Sequence, residues 1–263
     1  MYKLIISDLD GTLVDSNKNI SSFTKKVIDQ IQEKGIEFVI ATGRSYKGAK
    51  KIADILNLKT EIICNNGASI YDAHGNLIFQ KLIDKKVARN IYEKIKNTDS
   101  IFFASYEDKI FIDQGRIDES REFLLNPPEN AIEVTSDNIE KFSFEKIVIL
   151  NKNHNILEEF TKELGDVKEI KSFISQDYFL DIVHYESSKG IALEFLAQLK
   201  NINLEETLAF GDAFNDYEML KVAGKGIVMA NGYNDLKSEF ESHSLTNDEN
   251  AVAIYLSDVF DLK

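Results

Sequence analysis

The sequence predicts an α/β protein built on a parallel sheet, with an α+β segment inserted into it, and three observations carry that expectation. Near-continuous apolar strands alternate with amphipathic helices from Leu4 to Cys64, the pattern of a parallel sheet covered on both faces. That rhythm changes between about Ile83 and Glu186 and resumes at Lys189. Polar and glycine-bearing motifs stand at the end of one strand after another, where open parallel sheets bind ligands.

The elements follow in order. Residues 3–7 form an apolar strand that runs out at Asp8. Phe23, Val27, Ile28 and Ile31 then recur at helical spacing behind Ser21 and Ser22 as caps, with Gly35 as a stop. A second strand at 36–41 ends in Thr42-Gly43-Arg44, a helix runs through Tyr46, Ala49, Ile52, Ala53 and Leu56, and 61–64 make a third strand. Beyond Asn65-Asn66-Gly67-Ala68, two short strands at 69–72 and 77–80 flank His74-Gly75-Asn76 as a hairpin.

Residues 83–186 read as helix, hairpin, helix, strand, helix, hairpin. Strands at 101–105 and 110–113 bracket a turn near Asp108, 147–150 is the single strand, and Phe173 with 178–183 closes the segment. Pro127 and Pro128 mark a loop beside Asn126 and Asn130. The parallel pattern returns with a helix at 189–200, a strand at 207–210 followed by Gly211-Asp212, a helix at 216–222, a strand at 226–230, and helices at 234–240 and 249–260. The expected division is therefore a discontinuous core, 1–82 and 187–263, around an inserted domain, 83–186.

Composition narrows the function classes. At 263 residues, with 43% apolar and 10% aromatic content, the chain is a packed globular protein rather than a disordered one. Its formal charge of −13 repels nucleic-acid backbones and anionic lipid, so neither is an expected partner. Cys64 is the only cysteine, which excludes an internal disulfide and fits a reducing cytoplasm; its apolar strand makes it a core residue rather than a nucleophile. Met1 to Asp8 reach an acid before any signal-type apolar stretch, and no uncharged run is long enough to span a membrane. His74, His154, His184 and His243 lack metal-ligand spacing. Oligomeric state is not legible.

The chemistry concentrates at the strand ends. Asp8 and Asp10 stand two residues apart and can address one ligand, Gly11 allows the tight turn that follows, and like charges so close call for a cation or a proton between them. A plain turn with side-chain-to-backbone bonding is the alternative. Asp212 and Asp216 add carboxylates after a later strand, with a helix cap as their alternative. Three such groups suit a hard divalent cation, and Mg2+ with retained waters suits a site that also takes a phosphate. Thr42 offers a hydroxyl and Gly43 an unobstructed N–H to phosphoryl oxygens. Lys189, opening a helix behind Ser187-Ser188, supplies a counter-charge if it is not simply a surface lysine.

Together these residues resemble the haloacid dehalogenase superfamily of aspartyl phosphotransferases, and within it the Cof-type sugar-phosphatase branch. Asp8-Leu9-Asp10-Gly11-Thr12-Leu13 looks like the first motif, Thr42-Gly43-Arg44 the second, Lys189 the third and Gly211-Asp212-x-x-Asn215-Asp216 the fourth, and the similarity extends over essentially the whole chain. One departure is Met229-Ala230-Asn231-Gly232, where the branch usually has Gly-Asn-Ala. The resemblance implies a Rossmann-like core with a large α+β cap and a phosphatase acting on a small phosphorylated metabolite such as a sugar phosphate. It implies Asp8 as nucleophile, forming an aspartyl-phosphate, and Asp10 as general acid and base. It implies Mg2+ held by Asp8, the Asp10 backbone carbonyl and Asp212. Leu9 (through its backbone), Thr42, Gly43, Arg44, Lys189 and Asn215 would bind phosphate and substrate, with Asp216 behind Lys189. A phosphomutase with the same nucleophile, and a phospho-ligand binding module, are the competing readings.

Overall fold

The computed structural model describes residues 1–123 and 130–262, and the chain divides into two compact units, Met1–Phe79 with Ser188–Lys263, and Gln80–Ser187. The first unit opens with β1 (Leu4–Ser7), α1 (Ser22–Glu33), β2 (Glu37–Ala41), α2 (Tyr46–Ile55) and β3 (Ile62–Cys64). Ser21 caps α1 by accepting the Thr24 N–H, and the helix turns Val27, Ile28 and Ile31 into the core. The hairpin of β4 (Ser69–Tyr71) and β5 (Leu77–Gln80) is held at its turn by Asp72, whose carboxylate accepts the N–H groups of His74 and Asn76. It joins the same sheet, with β4 antiparallel to β3.

The second unit contains α3 (Lys85–Ile95), β6 (Ile101–Tyr106), β7 (Lys109–Asp113), α4 (Ile117–Ser120), β8 (Ile132–Val134), β9 (Lys146–Leu150), α5 (His154–Leu164), β10 (Ile170–Gln176) and β11 (Phe179–His184). Its sheet order is β10-β11-β9-β6-β7-β8. Ala88, Ile91 and Ile95 of α3 and Leu157 and Leu164 of α5 pack with Phe102, Ala104, Ile147, Ile149, Leu180 and Ile182, which alternate along their strands. The sequence pattern misses β8, a three-residue strand parallel to β7. The second helix of the expected order is a single turn, Ile117–Ser120. The loop expected at Pro127 and Pro128 lies outside the described residues.

The first unit then resumes with α6 (Lys189–Leu199), β12 (Thr207–Gly211), α7 (Tyr217–Val222), β13 (Lys225–Val228), α8 (Asn234–Glu239), β14 (Glu241–Ser242) and α9 (Ala251–Phe260). The helix expected from Asp216 begins at Tyr217, after a 3-10 turn over Phe214–Asp216. The sheet order is β14-β13-β12-β1-β2-β3-β4-β5, parallel from β14 through β3. Ile5, Phe38, Ile40, Leu208, Phe210 and Ile227 face the layer of α1, α2 and α9, while Leu4, Ile6, Val39, Ala41, Ala209 and Val228 face α6, α7 and α8. Both faces are covered, which is why these strands are near-continuously apolar. Among the described residues no helix is long and apolar enough to cross a membrane.

Candidate active site

β1 lies between β12 and β2, so the ends of these three strands deliver Asp8, Asp212 and Thr42 to one edge of the sheet. Immediately after β1 the chain closes a tight turn: the Leu9 carbonyl accepts the N–H groups of Thr12, Leu13 and Val14. The Leu9 side chain is buried in the core, leaving only its backbone to serve a ligand. Gly11 has a φ of +84°, and a Cβ there would come within 2.3 Å of an Asp212 carboxylate oxygen. No other residue type fits the turn without displacing Asp212. Thr12 donates its hydroxyl to the same carboxylate at 2.8 Å.

The buried centre of the site is an ammonium between two carboxylates. Lys189 begins α6 behind the Ser188 cap, is 0% exposed, and places Nζ 2.6 Å from both Asp8 Oδ1 and Asp216 Oδ1. The other Asp216 oxygen accepts the backbone N–H groups of Asp212 and Ala213 at 2.9 and 3.1 Å. Asp216 therefore fixes both the lysine and the loop that carries Asp212. What brings α6 close is the turn after β3, where Gly67 at φ +89° leaves room for the Ser188 carbonyl; a Cβ there would sit 2.1 Å from that oxygen.

Charge is crowded here. Burial, reinforced by the neighbouring Asp216 and Asp212, holds the Asp8 carboxyl well above the usual range despite Lys189. Burial and the Asp216 charge push Asp212 up to about 7. For Lys189 burial opposes the charge, but the Asp216 and Asp8 carboxylates outweigh it and raise its pKa. Oxygens of Asp8, Asp212 and Asp216 lie within 4.8 Å of one another. Three hard oxygen donors against a single ammonium fit a divalent cation of the Mg2+ or Ca2+ type. Because Asp216 already serves Lys189 and two amides, Asp8 and Asp212 are the better placed to hold it.

A second cluster surrounds Asp10. Arg44 donates Nε to one carboxylate oxygen and Nη2 to the other, both at 2.7 Å, and Lys18 Nζ lies 2.8 Å from Oδ1. Burial alone would raise this carboxyl, but the bonds from Arg44 and Lys18 hold it down at about 2. Arg44, expected from the sequence beside phosphate, is here the bidentate partner of Asp10. Nearby, Thr42 is buried, accepts the Arg44 N–H on its hydroxyl, and gives its carbonyl to Asn66 N–H. Asn66 in turn accepts from the side chain of Asn215 at 3.1 Å, with Gly43 against its amide. Thr42, Gly43 and Asn215 are thus joined through Asn66.

Three residues escape the sequence-based site: Thr12, Asn66 and Lys18. The first two stand inside motifs that the sequence displays, and their polar side chains were the available signal. Lys18 has none, since it lies eight positions beyond Asp10 and outside the motif. Cys64 is fully buried in the core.

Residues 5–256 match the haloacid dehalogenase-like hydrolase family. The chain is 33% identical over 277 residues to Phosphatase YwpJ of Bacillus subtilis, covering 95% of this chain and 97% of that protein. It is 31% identical to a Putative phosphatase of Buchnera aphidicola from Schizaphis graminum, covering 99% and 96%. Among solved structures, a haloacid dehalogenase-like hydrolase from B. subtilis aligns with a TM-score of 0.85 at 32% identity over 97% of this chain and 99% of that one.

Proposed function

The chain belongs to the haloacid dehalogenase-like hydrolase family, and from that footing we propose that it is a Mg2+-dependent phosphatase that hydrolyses small phosphorylated metabolites, sugar phosphates among them, through an aspartyl-phosphate on Asp8. The observation that carries this reading is the buried Asp8 carboxylate paired with Lys189 at 2.6 Å, beside Asp212, with a second aspartate two residues on. The phosphatase names of relatives at 31–33% identity support it.

In this reading an Asp8 oxygen attacks phosphorus, the bond from phosphorus to the leaving oxygen breaks, and Asp10 gives that oxygen a proton. Asp10 then takes a proton from the water that splits the acyl phosphate, which restores Asp8 and releases inorganic phosphate. Lys189 opposes the burial that disfavours charge on Asp8 and, with Thr42 and Gly43, meets the phosphoryl oxygens. Asp8, the Asp10 backbone carbonyl and Asp212 would hold the cation, which would supply positive charge against the transferring phosphoryl group. Asp10 has to exchange an Arg44 or Lys18 bond for contact with substrate before it can carry a proton. The unit Gln80–Ser187 is the cap in this reading, and substrate selection falls largely to it.

Release of inorganic phosphate from a panel of phosphorylated metabolites, measured with Mg2+ and again with EDTA, tests the proposal. Turnover is expected with Mg2+ and a loss of at least about 100-fold in EDTA, since metal charge stabilisation is worth several kcal/mol. If no member of the panel yields Mg2+-dependent phosphate, the proposal is wrong.

The metal assignment also has a pH signature. Asp8 and Asp212 have folded-state pKa values above the unfolded carboxylate range, about 3.9. In metal-free protein their contribution to stability is complete below that range and is lost as pH rises through about 7 for Asp212. Mg2+ binds the ionised pair, so it should raise Tm more at pH 8 than at pH 5. An equal rise at both would place the ion elsewhere.

A further inference from the structure

We propose that Lys18 and Arg44 form a receptor for a second oxyanion on the substrate, carried by the leaving group, so that phosphorylated acids or bisphosphates are preferred over neutral phosphorylated sugars. The inference rests on the phosphatase reading, because that reading is what puts the leaving group beside Asp10.

Two cations converge on one carboxylate at 2.7–2.8 Å. These three side chains alone carry one positive charge in excess, with the Asp8 carboxyl also acting on Arg44, in a chain whose net charge is −13. The excess is reachable: the side chains of Arg44, Asp10 and Lys18 are 25%, 34% and 53% exposed, whereas Lys189 and its two carboxylates are 0–6% exposed. The buried lysine serves the phosphoryl group, and Arg44 and Lys18 stand where the rest of the substrate must leave.

Lys18 is also held in place by built structure. Asp15 accepts the N–H groups of Asn17 and Asn19 on one carboxylate oxygen, and its carbonyl accepts from Lys18 N–H. Ser16 donates both its N–H and its hydroxyl to the carboxylate of Asp248, at 2.7 and 2.8 Å. Lys18 itself takes a left-handed backbone, φ 63°, which a lysine adopts only when its surroundings impose it. The loop aims an ammonium at the one carboxylate that has to be released for chemistry. When Asp10 turns to the leaving oxygen, the guanidinium fork and the ammonium lose their counter-charge. A carboxylate or phosphate on the leaving group restores it with the bidentate geometry that arginine favours; a hydroxyl supplies no charge.

The test measures binding to the Asp8→Asn variant in Mg2+ by calorimetry, so that no ligand is consumed. The probes are glucose 6-phosphate as the neutral reference, 6-phosphogluconate for a carboxylate and fructose 1,6-bisphosphate for a second phosphate. At least one of the two anionic probes should bind about 10-fold tighter than the reference, as expected for one or two charge-assisted bonds, and which one does so identifies the oxyanion. Adding Lys18→Met, which removes one of the two cations and leaves the Arg44 fork, should lower that ratio at least about 3-fold. Asp248→Ala, which unties the loop without touching the ligand, should lower the ratio part of the way. Equal affinity for all three probes, or a preference undiminished by Lys18→Met, overturns the inference. Failure of the phosphatase reading looks different: the anionic preference is present, but the unmodified protein releases phosphate from none of the probes.

Discussion

Asp8→Asn is expected to lose phosphate release by at least about 10³-fold, the scale on which removal of a catalytic nucleophile acts, and to melt no earlier than the parent protein. The amide keeps the shape of the carboxylate but is not a nucleophile. The stability half of the expectation is the more diagnostic. Asp8 is 4% exposed and shares its surroundings with Asp212 and Asp216. Burial and those neighbours already disfavour its charge. Replacing it with a neutral group relieves that crowding, while Lys189 keeps its bond to Asp216. Turnover and thermal unfolding of the same preparation check both halves. Undiminished phosphate release would remove Asp8 from the reaction; a collapse in Tm would mean that its charge has a structural role.

Lys189→Met should do the opposite, costing stability as well as activity. The substitution keeps the length of the side chain and deletes the only ammonium between two buried carboxylates. Removing one partner of a buried ion pair costs roughly 3–5 kcal/mol, because the remaining charge is left uncompensated. Urea unfolding of metal-free protein at pH 7 measures it. The deficit should shrink at pH 5, where the Asp8 carboxyl, already held above the usual range by burial, takes up a proton more fully, and the added change Asp216→Asn should recover part of it. A loss below about 1 kcal/mol at pH 7 would be that of a surface pair and would show that the lysine does not hold the centre together.

The strands nearest the site were legible because burial on both faces forces them to be apolar throughout. β1, β2 and β12 announce themselves in this way, and the polar residues at their ends stand out against them. β8 and β14 were not legible. Ile132–Val134 and Glu241–Ser242 are too short to show a period, and they are strands only because β7 and β13 offer an edge to pair with. The same contrast divides the site. Asp8, Asp212 and Lys189 lie where an element begins or ends, so sequence position fixes their place in space. Arg44 lies in a turn, and nothing in Thr42-Gly43-Arg44 says that its guanidinium meets Asp10. Lys18 owes its position to Asp248, more than 200 positions beyond the loop that Asp248 anchors, a link invisible to local reading.

The sheet order also sets a timetable for synthesis. β1 emerges first, but its partner β12 lies some 200 positions later. Until β12 arrives, the strands from β1 to β5 can form only a partial sheet whose β1 edge is unpaired and apolar, the kind of edge that invites association with other chains. Gln80–Ser187, continuous in sequence, can fold while that edge waits. Asp212, Asp216 and the Asp248 anchor leave the ribosome some 200 positions or more after Asp8. A nascent chain therefore carries its nucleophile long before it carries the means to use it, and truncation ahead of β12 should leave an aggregation-prone species rather than a weakly active one.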